Sequence, residues 1–124
     1  MSFVSRINAH DVEGIVSLMA RDHVFVDSLG RRFGRPGIED GWRRYFVSVP
    51  DYRVTVETKL ERGSLVALFG KASGTYVPEG GVPRAANRWA TPVAFRVKVQ
   101  RGKVSEWRVY SDNEPIRARM RGSN

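Results

Sequence analysis

The chain has 124 residues, 41% hydrophobic and 27% charged, with a formal charge of +8 and no cysteine. That length suits one domain with one core, read here as residues 1–124, and no apolar run approaches the roughly 18 residues that span a bilayer, so the chain does not read as a membrane protein. Without cysteine there is no disulfide framework or thiolate metal site, a composition that suits the cytoplasm. The positive charge raises nucleic acid as a partner, but its carriers are scattered. Arg31, Arg32 and Arg35 share a loop, Arg43 and Arg44 a helix, Arg84 and Arg88 another loop, and Arg117, Arg119 and Arg121 the tail. No zinc-finger spacing or RNA-binding signature accompanies them, so a solvated basic surface is expected rather than specific nucleic-acid binding.

Met1 to Arg6 carry no basic cluster followed by a long apolar stretch and do not read as a secretory signal. Phe3, Val4 and Ile7 fit the inner face of a short first helix, with Asn8, Ala9 and His10 as its turn. Asp11 is a candidate N-cap, and Val12, Ile15, Val16 and Met19 at helical spacing predict a second helix over about residues 11 to 20. The apolar run from His23 to Asp27 reads as a strand, and residues 28 to 34 as a loop. Pro36 stands where a first helical residue should, Ile38, Trp42, Tyr45 and Phe46 mark the buried side of a third helix, and Pro50 stops it.

From Tyr52 the period changes to two. Tyr52, Val54, Val56, Thr58 and Leu60 alternate with charged and polar residues, and Arg62-Gly63 makes a turn. Residues 64 to 76 form a longer strand whose Gly70 and Gly74 mark bends or bulges, and the Pro- and Gly-rich residues 77 to 88 form an irregular loop. Trp89, Thr91, Val93, Phe95, Val97 and Val99 then share one face of a strand that turns at residues 100 to 103 and returns over 104 to 111. The tail from about Glu114 reads as mobile. Helices first and hairpin-linked strands afterwards define an α+β domain, with a curved, mainly antiparallel sheet burying one face against three N-terminal helices.

Asp27 is the most informative position. A carboxylate ending a strand that otherwise reads as core is either exposed at a rim or held in a pocket, where desolvation would raise its pKa and suit it to proton transfer. A pocket acid or base and a structural hydrogen bond to the following loop are the two alternatives.

Several pieces in order resemble the nuclear transport factor 2-like superfamily, and within it the SnoaL-like branch. They are Ile7-Asn8-Ala9-His10-Asp11, Asp22-His23-Val24-Phe25-Val26-Asp27, Gly34-Arg35-Pro36-Gly37-Ile38, Trp42-Arg43-Arg44-Tyr45-Phe46 and Gly102-Lys103-Val104-Ser105-Glu106-Trp107. The resemblance covers about residues 3 to 112 and implies a cone-shaped half-barrel closed by the helices, with a pocket inside and a homodimer formed through the sheet. It implies further that Phe25 and Asp27 face the pocket with Trp107, Val109 and Ser111. The first helix in this family usually begins earlier than Met1 allows, which leaves either a short lid or a start upstream.

The same fold hosts polyketide cyclases, ketosteroid isomerases and limonene epoxide hydrolases. In the ketosteroid isomerase pattern Asp27 takes the base position, but Phe3 and Val93 stand where the two oxyanion donors should be, which argues against that mechanism. In the epoxide hydrolase pattern Phe25, Asp27 and Val109 replace a tyrosine, an asparagine and an aspartate, while Gly70 and Ala72 stand near an arginine and a second aspartate position. A SnoaL-type cyclase needs one base in an apolar pocket. Its base lies near Val109, so Asp27 would have to act instead.

The candidate catalytic residues are therefore Asp27, with His23 assisting from the same strand face. The candidate ligand-binding residues are Phe3 and Phe25, Trp42, Tyr45 and Phe46 on the third helix, Trp89 and Val93, and Trp107, Val109 and Ser111 on the last strand. Core packing is the alternative for the tryptophans and Tyr45, and solubility is the alternative for Arg84 and Arg88, which otherwise would draw an anionic ligand to the mouth. Asp112 reads as a rim or turn residue. Scattered carboxylates and two histidines give no metal-ligand spacing, and no cofactor is expected. Two functions follow: a cofactor-free isomerase, cyclase or hydrolase acting on an apolar or aromatic molecule, or a non-catalytic module for small-molecule binding or dimerisation.

Overall fold

The apolar positions near the N-terminus form two short helices, α1 (Ser2–Asn8), which buries Phe3, Val4 and Ile7, and α2 (Val12–Ser17), which buries Val12 and Ile15. The structure is a computed structural model and describes residues 2–122. Asp11 caps α2 by accepting the Gly14 amide at 3.0 Å. This helix is shorter than its spacing predicts. Leu18 gives its carbonyl to the Val104 amide at 2.8 Å, and Met19 already opens the strand β1 (Met19–Val26). Pairing with the last strand thus takes over the apolar Met19 that helical spacing had claimed.

The segment expected as a loop holds a three-residue strand, β2 (Arg32–Gly34), which pairs with β1 through Phe25 and Phe33. Three residues are too few to show a period of two. Helix α3 (Arg35–Ser48) follows with Pro36 in its first turn, burying Ile38 and Phe46. The strands β3 (Arg53–Arg62), β4 (Leu65–Thr75), β5 (Arg88–Gln100) and β6 (Lys103–Ser111) come next. A last helix, α4 (Glu114–Gly122), occupies the segment read as a mobile tail. Just ahead of it Asp112 accepts the Glu114 amide at 2.9 Å, and Ile116 packs against the core.

Among the described residues, four α-helices pack on one open six-stranded sheet of order β2-β1-β6-β5-β4-β3. Every neighbouring pair is antiparallel except β1 with β6. The sheet curves where β3 shifts register between Val56 and Thr58, opposite Gly70. A side chain on Gly70 would collide with the Thr55 carbonyl oxygen, so the glycine permits the bend. Burial alternates along β5, with Trp89, Thr91, Val93, Phe95 and Val97 turned to the helices. The core fills one end of this concave face, where Trp107 packs against Phe3 and Phe95 at ring separations of 4.8 and 4.6 Å. At the other end the helices and sheet stand apart.

Candidate functional site

That opening is a cavity of about 370 Å³. Aromatic rings form a large part of its mostly apolar walls. Phe25, Phe95 and Trp107 project from the sheet, Trp42 and Tyr45 from α3, and Ile116 of α4 covers one side. Successive inward positions of β6 place Trp107, Val109 and Ser111 in a row, as the period of two requires. The expected residues Phe25, Asp27, Trp42, Tyr45, Trp89, Val93, Trp107, Val109 and Ser111 therefore share one cavity.

Three expected site residues lie outside its lining. Phe3 is 1% exposed and sits behind Trp107. Phe46 is stacked between Trp42 and His10, at ring separations of 5.3 and 4.1 Å. His23 shares its strand face with Phe25 but is buried beside Phe3, and its Nδ1 donates to the Val104 carbonyl at 2.6 Å. That bond leaves Nε2 unprotonated in the neutral ring, and Nε2 has no hydrogen-bond partner among the described residues. Burial holds the His23 pKa below its ordinary value, outweighing the Val104 bond. In the neutral state a proton-relay role with Asp27 has no hydrogen-bonded path through this ring.

Asp27 lines the cavity at its rim, with its side chain 18% exposed. Its Oδ1 accepts the backbone amides of Leu29 and Arg31 at 3.0 and 2.9 Å, and its Oδ2 accepts Arg31 Nε at 2.7 Å. The main chain repeats the closure, with the Asp27 amide donating to the Arg31 carbonyl at 3.0 Å. Partial burial pushes the carboxyl pKa up, but the Arg31 guanidinium and the two amides hold it below the usual carboxylate range. The group is therefore ionised at neutral pH and weakly basic. With two bonds on Oδ1 and one on Oδ2, it keeps one acceptor position on Oδ2 for a ligand.

A second polar set closes the same rim. Ser111 Oγ donates to Asn113 Oδ1 at 3.0 Å, and Asn113 Nδ2 donates to Ser28 Oγ at 2.6 Å. This chain ties the loop after β1 to the start of α4. On the far side Tyr52 and Tyr45 meet edge to face, with ring centroids 5.0 Å apart. Burial raises both phenol pKa values far above normal, and the Tyr52 hydroxyl adds to the rise at Tyr45. Neither hydroxyl has a hydrogen bond to the protein among the described residues. Arg88 lies off the cavity, 3.4 Å from Asp51, while Arg44 reaches the lining from α3.

Tyr52, Thr91, Ser28, Asn113 and Arg44 are lining residues absent from the expected set. Tyr52 and Thr91 carried a signal, because each shares the inward parity of its strand. Asn113 and Ser28 carried none, since their meeting depends on β1 lying beside β6. No group of three His, Asp or Glu side chains suited to a metal ion occurs among the described residues.

The chain matches the model of the SnoaL-like domain family over residues 2–107. Its structure resembles that of IdmH, a proposed polyketide cyclase from Streptomyces antibioticus, with a TM-score of 0.79 and 26% identity, over 96% of this chain and 93% of that one. A proposed SnoaL-like polyketide cyclase from Shewanella putrefaciens gives a TM-score of 0.80 at 22% identity, over 97% of this chain and 81% of that one. A protein of ketosteroid isomerase-like fold from Catenulispora acidiphila, solved with trimethylamine, gives 0.80 at 18% identity, over 95% and 88%. No curated protein matches the chain. The α+β architecture, the cavity between α3 and the concave sheet, and the family match over most of its length agree: this chain belongs to the SnoaL-like domain family.

Proposed function

We propose that this protein takes up a planar, mostly apolar or aromatic small molecule in the cavity between α3 and the sheet. The observation that carries this reading is the cavity itself, whose volume of about 370 Å³ falls in the ligand-pocket range and whose lining includes the partly exposed rings of Phe25, Trp42, Tyr45 and Tyr52. Flat aromatic walls favour flat ligands through stacking and dispersion. The proposed polyketide cyclases among the similar structures support a polyketide-like aromatic molecule.

A second reading, a cofactor-free isomerase, cyclase or hydrolase with Asp27 as general base, is favoured by one observation. Asp27 is the carboxylate in the cavity lining among the described residues. Against it stands the lowered basicity imposed by Arg31, which makes removal of a carbon-bound proton harder. Anthrone, a flat ketone with an acidic carbon-bound hydrogen, separates the two. Binding is followed by tryptophan fluorescence under argon, and exchange of that hydrogen in deuterium oxide by NMR. Quenching without accelerated exchange supports the binding protein, whereas exchange that disappears in Asp27→Asn supports the base. Absence of quenching by anthrone would sink the pocket reading.

The reading includes a homodimer formed through the convex face of the sheet. Leu60, Phe69 and Tyr110 are exposed there, and the register places Phe69 opposite Ala94 and Ala94 opposite Tyr110. A second copy laid on this row would cover an apolar strip that charged Arg96 and Lys98 flank. Sedimentation of wild type as a dimer and of Phe69→Lys as a monomer is the expected result. A monomeric wild type would remove the dimer.

A further inference from the structure

Resting on the pocket reading, we infer that Tyr45 and Tyr52 form a two-donor site for one oxygen acceptor of the ligand, a carbonyl or enolate oxygen, on the β3 side of the cavity. Both side chains line the cavity, and their rings are fixed edge to face at 5.0 Å. The backbone holds each in place. The Val49 amide donates to the Tyr45 carbonyl at 2.8 Å, the Tyr52 amide donates to the Val49 carbonyl at 3.1 Å, and His10 Nε2 donates to the Tyr52 carbonyl at 2.8 Å. Two rings set by one turn, residues 45 to 52, are presented to the cavity as a preorganised pair.

The described residues offer the hydroxyl protons no acceptor, and both hydroxyls are open to the cavity rather than sealed in the core. No acceptor takes either of them among the described residues, and the two hydroxyls do not bond to each other. The indole N–H of Trp89, whose ring lies 6.2 Å from that of Tyr52, is buried without an acceptor among the described residues. A donor that faces a sheltered, mostly apolar cavity is satisfied there only by water, which a well-placed ligand acceptor can replace. Burial keeps both phenols protonated, so they remain donors across the physiological range. A ligand hydroxyl donating to one of these oxygens would leave that tyrosine's own proton unmet, whereas a carbonyl oxygen, with two lone pairs, accepts from both.

Placement on the sheet gives the ligand a direction. Asp27 follows β1, and Tyr52 precedes β3, with β6, β5 and β4 between them. The cavity therefore has an acceptor, the Asp27 carboxylate, on one side and two donors on the other. It suits an aromatic molecule with a keto oxygen at one end and a hydroxyl or acidic hydrogen at the other.

The test compares 9-fluorenone with fluorene, which have the same outline but differ by the carbonyl oxygen. Affinities are measured by tryptophan fluorescence for wild type, Tyr45→Phe, Tyr52→Phe and the double variant, with far-UV circular dichroism confirming the fold. Each single substitution is expected to weaken fluorenone binding about three- to tenfold and to leave fluorene binding unchanged. The carbonyl stretch of bound fluorenone should lie at lower wavenumber in wild type than in the double variant. Equal losses for both ligands, or unchanged fluorenone affinity in the double variant, overturn the two-donor site while the pocket stands. If wild type binds neither ligand, the pocket reading falls and the site with it.

Discussion

Replacing Asp27 with asparagine asks whether the carboxylate serves the loop or a reaction, because the two roles predict opposite signs for stability. The asparagine side chain would keep the outline and one carbonyl oxygen, so the Leu29 and Arg31 amides retain their acceptor. Its NH₂ group would replace Oδ2 and face Arg31 Nε, donor against donor, where wild type has a 2.7 Å charged hydrogen bond. A sheltered charged bond contributes about 1.5–3 kcal/mol and an exposed ion pair about 0–1. Arg31 is 68% exposed and Asp27 18%, so the pair falls between these cases and its loss should cost about 1 kcal/mol at neutral pH. For a domain of this size that is a fall in Tm of about 3–5 °C. The folded pKa is depressed, so the contribution is complete above the unfolded value of about 3.9 and is lost as pH falls through the lower folded value. Urea unfolding at pH 7 and at steps below about pH 4 should therefore show the two proteins converging in acid. A variant at least as stable as wild type at pH 7 would refute the structural role, since a base held at the expense of stability behaves that way.

Other consequences follow from the packing. Trp107→Ala should destabilise by about 3–5 kcal/mol in denaturant titrations, because the ring is 1% exposed between Phe3 and Phe95. A loss below about 1 kcal/mol would mean that the cavity floor collapses to fill the gap. Gly70→Ala should cost about 2 kcal/mol or more, since its Cβ meets the Thr55 carbonyl oxygen and backbone must move. A neutral result would show that the bend does not depend on the glycine. His23 has a lowered folded pKa, so the unfolded chain binds more protons and stability is lost as pH falls through its unfolded value near 6.5. Between pH 7.5 and 5.5 wild type should lose stability more steeply than His23→Gln, and parallel profiles would exclude His23 as the cause.

The candidate site was legible in proportion to its dependence on local pattern. Periods of two and 3.6 put Phe25 with Asp27, Trp107 with Val109 and Ser111, and Trp42 with Tyr45 each on one face, and the family resemblance implied that the two strand faces meet the pocket. Phe46 shares the α3 stripe with Trp42 yet is occupied by stacking on His10, a residue from the turn after α1. His23 shares strand parity with Asp27, but at the covered end of β1, so Phe3 and the Val104 carbonyl enclose it. Parity gives a residue's face and leaves its depth along the strand undetermined. Asn113 and Ser28 meet only because the first and last strands lie side by side.

Asp27 itself divides along the same line. Its place at the end of an apolar strand, the order of helices and strands, and the inward faces of β5 and β6 were determined by residue type and spacing, because these express backbone geometry over a few residues. Whether the carboxylate would be raised or lowered in pKa depended on which groups surrounded it in space. The loop after β1 doubles back so that Arg31 and two amides bind the carboxylate, and charged hydrogen bonds outweigh its partial desolvation. The parallel pairing of β1 with β6, the α4 cover and the unpartnered Tyr45 and Tyr52 hydroxyls were likewise decided only by the tertiary structure. The first two bring together residues distant in sequence, and the tyrosines meet through the irregular turn after α3, so no local periodicity encodes these contacts.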